Sequence, residues 1–289
     1  MVSPMSIWPN VAGVVFLGIG IIAARKQFAA SHGLEKLVTL GRTFVAAALA
    51  AFGTEHMFAA KFIMLGVPAW MPFRLFWAYF VGAALIAAAL SLALNRCVKW
   101  SSLLAAIMIL IFVLTIHIPN TIALPHDRFL WIVSARDLCF SAGMAALAAS
   151  YWGWPKLITA ARFYLAAASV FFAVEYFLYP AFAPGLPLQK MTPSWVPVAL
   201  LWGYLTGLCL LAAGATMAAS KPCSRPAAIW LAVVMLVITV ALYLPILIMA
   251  SGTGPIVEGL NYVADTLLFA GTLLVFAEAA GSHEGPKVL

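Results

Sequence analysis

The sequence predicts an all-α, polytopic transmembrane helix bundle of about nine spans, with one N-terminal helix followed by two parallel four-helix repeats. Three observations carry this. First, 65% of the 289 residues are hydrophobic and only 9% are charged. An average soluble domain carries about 25% charged residues, so this chain has too few to cover a water-facing surface. Second, apolar runs of about 20 residues recur, each long enough to cross a hydrocarbon core of ~30 Å. Third, an ordered set of polar and aromatic residues occurs twice, about 120–128 residues apart.

The expected spans are 7–24, 38–60, 74–94, 100–119, 129–150, 158–178, 196–219, 226–250 and 259–280. The runs are continuous and rich in Ala, Leu and Ile, not the short alternating segments of a β-barrel. Helices satisfy their own backbone groups in lipid, so they are the structure expected. The fifth span has an alternative start just after Arg136 and Asp137.

No positive charge precedes the first run, and Arg25 and Lys26 follow it. A cleaved signal has the opposite order, so a retained helix with its N-terminus outside is expected. Arg25, Lys26, Lys36, Arg42, Arg96, Lys99, Lys156, Arg162, Lys221, Arg225 and Lys287 fall on one side. Lys61, Arg74, Arg128, Arg136 and Lys190 fall on the other. The bias places the first side, with the C-terminus, in the cytoplasm. These cations sit singly at the ends of apolar runs despite the net charge of +7, which argues against nucleic acid as a partner. The lipid bilayer is the partner the composition implies.

The four cysteines form no Cys-x-x-Cys pair. Cys139 and Cys209 read as small residues within apolar runs, and Cys97 and Cys223 fall in loops at matching places.

The repeat sets the domain organisation. Arg42, Phe52 and Glu55 recur 120 residues later as Arg162, Phe172 and Glu175. Pro68, Trp70, Pro72, Trp77, Tyr79 and Gly82 recur 125 later as Pro193, Trp195, Pro197, Trp202, Tyr204 and Gly207. His117-Ile118-Pro119 is echoed 126 later by Tyr243-Leu244-Pro245, and Asp137 and Gly143 return 128 later as Asp265 and Gly271. Small loop insertions produce such a drift in offset. The expected units are residues 1–36, an N-terminal helix and loop; 37–157 and 158–281, the two repeats; and 282–289, a cytoplasmic tail. Four crossings is an even number, so both copies enter from the same side, related by an axis along the membrane normal.

Ionisable residues inside a bilayer are site candidates because they are costly there. Glu55 lies 13 residues beyond Arg42, about 20 Å of helix rise, which puts it in the outer part of the layer if Arg42 anchors at the cytoplasmic surface. Glu175 has the same spacing from Arg162, and Asp265 stands 13 residues before Glu278. The first-repeat candidates for a ligand site are Glu55, His56, Trp77, Tyr79, His117, Arg136 and Asp137. Their second-repeat counterparts are Glu175, Tyr176, Trp202, Tyr204, Tyr243 and Asp265. Asn120, His126 and Asn261 lie at the same level. The first repeat carries histidines where the second carries tyrosines, so residues that titrate near neutral pH belong to the first.

Other readings of these residues stay open. Trp and Tyr also populate membrane interfaces without a ligand. Arg136 and Asp137 could neutralise each other, or pair with Glu55 across helices. Glu55 and Glu175 could each cap neighbouring backbone or bind an arginine. His56, His117 and a carboxylate are metal-ligand types, but no spacing in the sequence groups them. The segments 67–72 and 192–197, each with two prolines and a tryptophan, read as outer elbows. No phosphate loop, nucleophile elbow or His-Glu-x-x-His motif is present in the sequence.

Phe52-Gly53-Thr54-Glu55-His56, the Pro-rich elbow 67–72, and Trp77-Ala78-Tyr79 with Gly82 resemble the DoxX-like family of bacterial membrane proteins. The resemblance covers about 37–150, and more weakly 158–280. It implies a four-helix unit in a bacterial cytoplasmic membrane. Some members of that family are membrane subunits of redox systems, including thiosulfate–quinone oxidoreductase and a terminal quinol oxidase. Others look like helpers in maturing periplasmic redox enzymes. This chain departs from the family by doubling the unit and adding a helix, and its second copy lacks both histidines.

Three functions follow as expectations. The first is a redox-associated membrane subunit with a quinone or small-molecule pocket near the periplasmic side, working with a membrane or periplasmic redox protein. The second is a transporter or permease. The third is a non-catalytic scaffold for partner proteins.

Overall fold

The structure is a computed structural model that describes residues 4–186, 189–250 and 256–282. It is all-α. Among the described residues the only strand-like contact is an isolated bridge between Phe182 and Met191. Nine helices there are long and apolar enough to cross a membrane. We label them α1 (Pro4–Ala30), α2 (Glu35–Phe58), α3 (Arg74–Ala93), α4 (Val98–Ala123), α5 (Arg128–Trp152), α6 (Pro155–Leu178), α7 (Ala199–Ala219), α8 (Lys221–Met249) and α9 (Ile256–Gly281). The expected tail, 282–289 with Lys287, lies outside the described residues after Ser282.

Most boundaries move outward from the apolar runs. Helix α1 continues past Arg25 and Lys26 to Ala30, because Lys and Arg are good helix formers that can extend towards water. Helix α5 begins at Arg128, where the Asp127 carboxylate accepts the Phe129 N–H at 2.9 Å, so Arg136 and Asp137 lie within the helix rather than before it. Gly153, at φ +69°, ends it in the left-handed conformation that glycine tolerates. Helix α8 begins at Lys221, so Cys223 sits in its first turn and not in a loop. Helix α7 starts later than expected, at Ala199, because the elbow prolines keep 193–198 irregular.

Proline also reshapes α4 and α8 internally. Pro119 and Pro245 have no N–H to give the preceding turn. In each helix the turn just before the proline widens into a single π-helical turn, at Val113–His117 and Thr239–Tyr243. Such a bulge redirects the side chains at its end, here His117 and Tyr243.

Helix packing follows one order in both halves. Helices α2, α3, α4 and α5 pack in sequence, as do α6, α7, α8 and α9. The halves join where α2 packs on α9, α5 on α6, and α5 on α9. The first half therefore does not close on itself: α2 packs on α9 instead of on α5. Helix α1 lies outside against α2. Its span is 11% buried, against 78% for the span in α9, so α9 is the central helix and α1 a peripheral one.

Close approach at α9 depends on small residues. A Cβ on Gly143 of α5 would stand 2.4 Å from Thr272 Cγ2, and one on Gly271 would stand 2.8 Å from Val45 Cγ2 of α2. Small residues let membrane helices pack backbone to backbone. Gly143→Val is expected to lower stability by about 1–3 kcal/mol, the usual cost of overpacking. Gly18→Ala, which meets nothing within 4 Å, is the control. Thermal unfolding in detergent measures both, and equal midpoints would contradict this packing.

Candidate functional site

A cavity of about 400 Å³ opens between α2, α3, α4, α5 and α9. It occupies the space left because α9, not α5, completes the first half. Each helix contributes a stripe at helical spacing. Helix α2 gives Leu49, Phe52 and His56; α5 gives Phe129, Val133, Arg136, Asp137 and Phe140; α9 gives Asn261, Tyr262, Asp265 and Leu268. Leu85, Ile109 and Phe112 extend the apolar wall, and Gln189 reaches in from the loop after α6.

The polar part is a chain of ionisable groups. His117 Nε2 lies 2.9 Å from Asp137 Oδ2. Arg136 Nε donates to Asp137 Oδ1 at 2.9 Å, and Arg136 Nη1 donates to Asp265 Oδ2 at 2.5 Å. Asp265 is only 5% exposed, so its pairing matters: a buried carboxylate without a partner is strongly disfavoured. Glu55 lies within interaction range of Asn261 and of Asp265.

Two polar atoms at the cavity have no hydrogen-bond partner among the described residues. Asn261 Oδ1 is buried without a hydrogen bond. His56 Nδ1 lies 2.8 Å from the Phe52 carbonyl oxygen. A carbonyl only accepts, so Nδ1 carries the proton and a neutral His56 leaves an electron pair on Nε2.

The structure thus gathers Glu55, His56, His117, Arg136, Asp137 and, from the second half, Asp265. Arg136 pairs with Asp137 and Asp265 rather than with Glu55. The other candidates lie elsewhere. Trp77 does not line the cavity: its indole N–H donates to the Pro72 carbonyl at 3.0 Å and clamps the elbow. Trp202 does the same to Pro197 at 3.0 Å. Tyr79 and Tyr204 are exposed on the outer surface, as suits interfacial residues. Glu175 does not join the cluster either. It pairs with Arg128 Nη1 at 2.9 Å, and that guanidinium stacks on the Tyr179 and Phe182 rings. Among the described residues no group of three or more His, Cys, Asp or Glu is placed to hold a metal ion.

Tyr176 and Tyr243 serve a different end. Both are fully buried, and both hydroxyls point to the segment after α6. Tyr176 donates to the carbonyls of Ala183, at 3.0 Å, and Gly185. Tyr243 donates to Ala183 at 3.4 Å, and Thr266 donates to the Leu186 carbonyl at 2.7 Å. Ala183, Pro184, Gly185 and Leu186 are all buried. This segment fills, in the second half, the place the cavity occupies in the first. The repeat offset grows from 120 to 125 between Glu175 and Pro193, so the additional residues lie in the stretch that forms this plug.

The plug and the aromatic wall of Phe112, Phe129 and Phe140 were not expected from the sequence, and for Glu175 an arginine partner was expected but not its identity, Arg128. The wall was detectable in part, because Phe129, Val133, Arg136 and Phe140 recur every three or four residues.

Tyr176→Phe removes the donor to two buried carbonyls and is expected to cost about 1–3 kcal/mol. Tyr204→Phe, altering an exposed ring, should cost nothing measurable. Thermal unfolding of both in detergent, with the same stability found for each, would contradict a plug held by hydrogen bonds. Comparison with known proteins gives no match from protein-family models, curated proteins or solved structures.

Proposed function

We propose that this is a redox-associated integral membrane protein that binds a quinone-type ring in the cavity of its first half. The observation that carries the proposal is the pair of unpartnered acceptors, His56 Nε2 and Asn261 Oδ1, at the polar part of an otherwise aromatic and aliphatic cavity. Ligand pockets are commonly 300–1,000 Å³, mainly apolar, with a few placed polar groups. A quinol offers a flat apolar ring with two hydroxyl donors to match those acceptors. The resemblance to DoxX-like proteins supports the same class.

The chemistry follows from the hydrogen bonds. Oxidation of a quinol releases two electrons and two protons. His56 takes one proton at Nε2, and its cation then donates to the quinone carbonyl formed. The carboxylates around Arg136 take the other, with His117 relaying it from Asp137. The two electrons pass to an electron-accepting redox protein in the membrane or periplasm. The plugged second half parallels this arrangement, with tyrosine hydroxyls donating to peptide carbonyls.

The excess of cations at the end carrying Arg42, Arg162 and Arg225 supports orienting that end to the cytoplasm of a bacterial inner membrane, with the cavity towards the periplasmic face. A transport path to the cytoplasmic end would have to cross Met144, Leu147 and Leu273, each at most 1% exposed. That packing favours a closed binding pocket.

Binding of decylubiquinone to purified protein, followed by quenching of intrinsic fluorescence, tests the proposal. His56→Ala is expected to weaken binding about tenfold, the worth of one hydrogen bond to a polar group. Tyr79→Phe should leave it unchanged. No saturable binding, or equal affinity in His56→Ala, would refute the assignment.

A further inference from the structure

The basic end of the bundle carries two matching arginines with different fates. Arg42 of α2 is neutralised by Glu278 of α9, bonds Asn95, and lies 5.6 Å from the Tyr151 ring. Arg162 is its counterpart in α6, 120 residues later. The residue of α5 that corresponds to Glu278, 128 earlier, is Ser150, whose hydroxyl donates to the Leu147 carbonyl. The second half thus keeps the cation and lacks its acid.

No other acid replaces it among the described residues. At this end those acids are Glu35 and Glu278. Glu35 accepts two bonds from Arg225, at 2.6 and 2.5 Å, and Glu278 is held by Arg42. Arg162 Nε is buried without a hydrogen-bond partner. The one ring it meets is that of Phe163, 4.4 Å away.

Arg162 lines a small cavity of about 50 Å³ together with Pro155, Ile158, Thr159, Lys221, Ser224, Phe276 and Ala280. The volume is far below that of a pocket for an organic ligand and suits a single small oxyanion. Two cations, Arg162 and Lys221, face it. The first turns of α6 and α8 also meet here, and the dipoles of the two helices favour a negative charge. With no acid facing it among the described residues, the cavity is left to an anion from outside.

We propose that this cavity binds the phosphate of an anionic phospholipid. The observations favour lipid over free phosphate because the site sits where a headgroup would lie. Trp154 and Phe163, both exposed, flank it, and Trp154 stacks on Trp152 at 5.3 Å. Exposed tryptophans mark the membrane–water boundary. Basic pockets between transmembrane helices are a recurrent way to hold such headgroups. This site is separate from the quinone reading and stands without it.

Native mass spectrometry of the full chain, released from vesicles of mixed phosphatidylglycerol and phosphatidylcholine, tests the proposal. The wild type is expected to retain phosphatidylglycerol in preference. Arg162→Gln with Lys221→Gln should reduce that retention about tenfold, given the worth of each cation near an anionic surface. Arg25→Gln with Lys26→Gln removes the same charge from α1 and should leave it unchanged. Equal loss in both double variants would overturn the site, as would no preference in the wild type. Full displacement of the lipid by millimolar inorganic phosphate would overturn the lipid assignment. A gain of lipid on deleting 283–289 would show that the chain's own tail fills the cavity, and would overturn it too.

Discussion

One arginine serves two halves of the molecule. Asp137 and Asp265 occupy matching positions, 128 residues apart, on the two helices that meet at the centre. Arg136 has no counterpart, because position 264 is alanine. Its guanidinium bonds both carboxylates, one on its own helix and one across the interface. In a low-dielectric interior this guanidinium offsets part of the cost of burying two carboxylates, and His117 contacts Asp137 as well. Breaking such a pair by removing one partner costs about 3–5 kcal/mol, because an uncompensated charge remains. The link holds α5 to α9 and keeps the ionised groups at the edge of the cavity.

The asymmetry of the cavity follows from what each half places beside that link. In the second half, Tyr176, Tyr243 and Thr266 hydrogen-bond the carbonyls of an inserted loop, and the space is filled. In the first half, the positions matching Tyr176 and Tyr243 carry His56 and His117, and among the described residues no carbonyl of that loop is bonded to them, its Gln189 lining the cavity instead. One histidine bonds Asp137, and the other bonds the Phe52 carbonyl of its own helix. A bundle with two copies of one helix order thus holds a structural half and an open half. The same division recurs at the basic end, where Arg42 has an acid and Arg162 has none among the described residues.

Much of the fold was legible in the sequence, for a simple reason. Apolar run length is set by bilayer thickness, so the nine spans could be counted before any packing was known. Their ends were less legible: Arg25 and Lys26 are polar yet helical, which hydropathy alone does not anticipate, whereas the span 129–150 already enclosed Arg136 and Asp137. The polar cluster was legible as a level in the membrane, through the 13-residue spacings. Its partners were not. Depth along an axis says nothing about rotation, so Trp77, bonded to its own elbow, and Tyr79, exposed on the surface, shared the level of Glu55 without lining the cavity. Nor could spacing show that α9 crosses to the first half and brings Asp265 to Arg136. The repeat offset did hold the plug in coded form, since a jump from 120 to 125 must occur in one loop. Where those residues go depends on tertiary packing.

The central claim is that Arg136 and Asp265 are energetically coupled across the two halves. A double-mutant cycle on unfolding stability in detergent, with Arg136→Gln, Asp265→Asn and the double variant, measures it directly. Each single change should cost about 3 kcal/mol and the double change little more than either, since removing both partners leaves no stranded charge between them. Strictly additive losses would mean that the two residues act independently, and the ion pair could not then be what joins the halves.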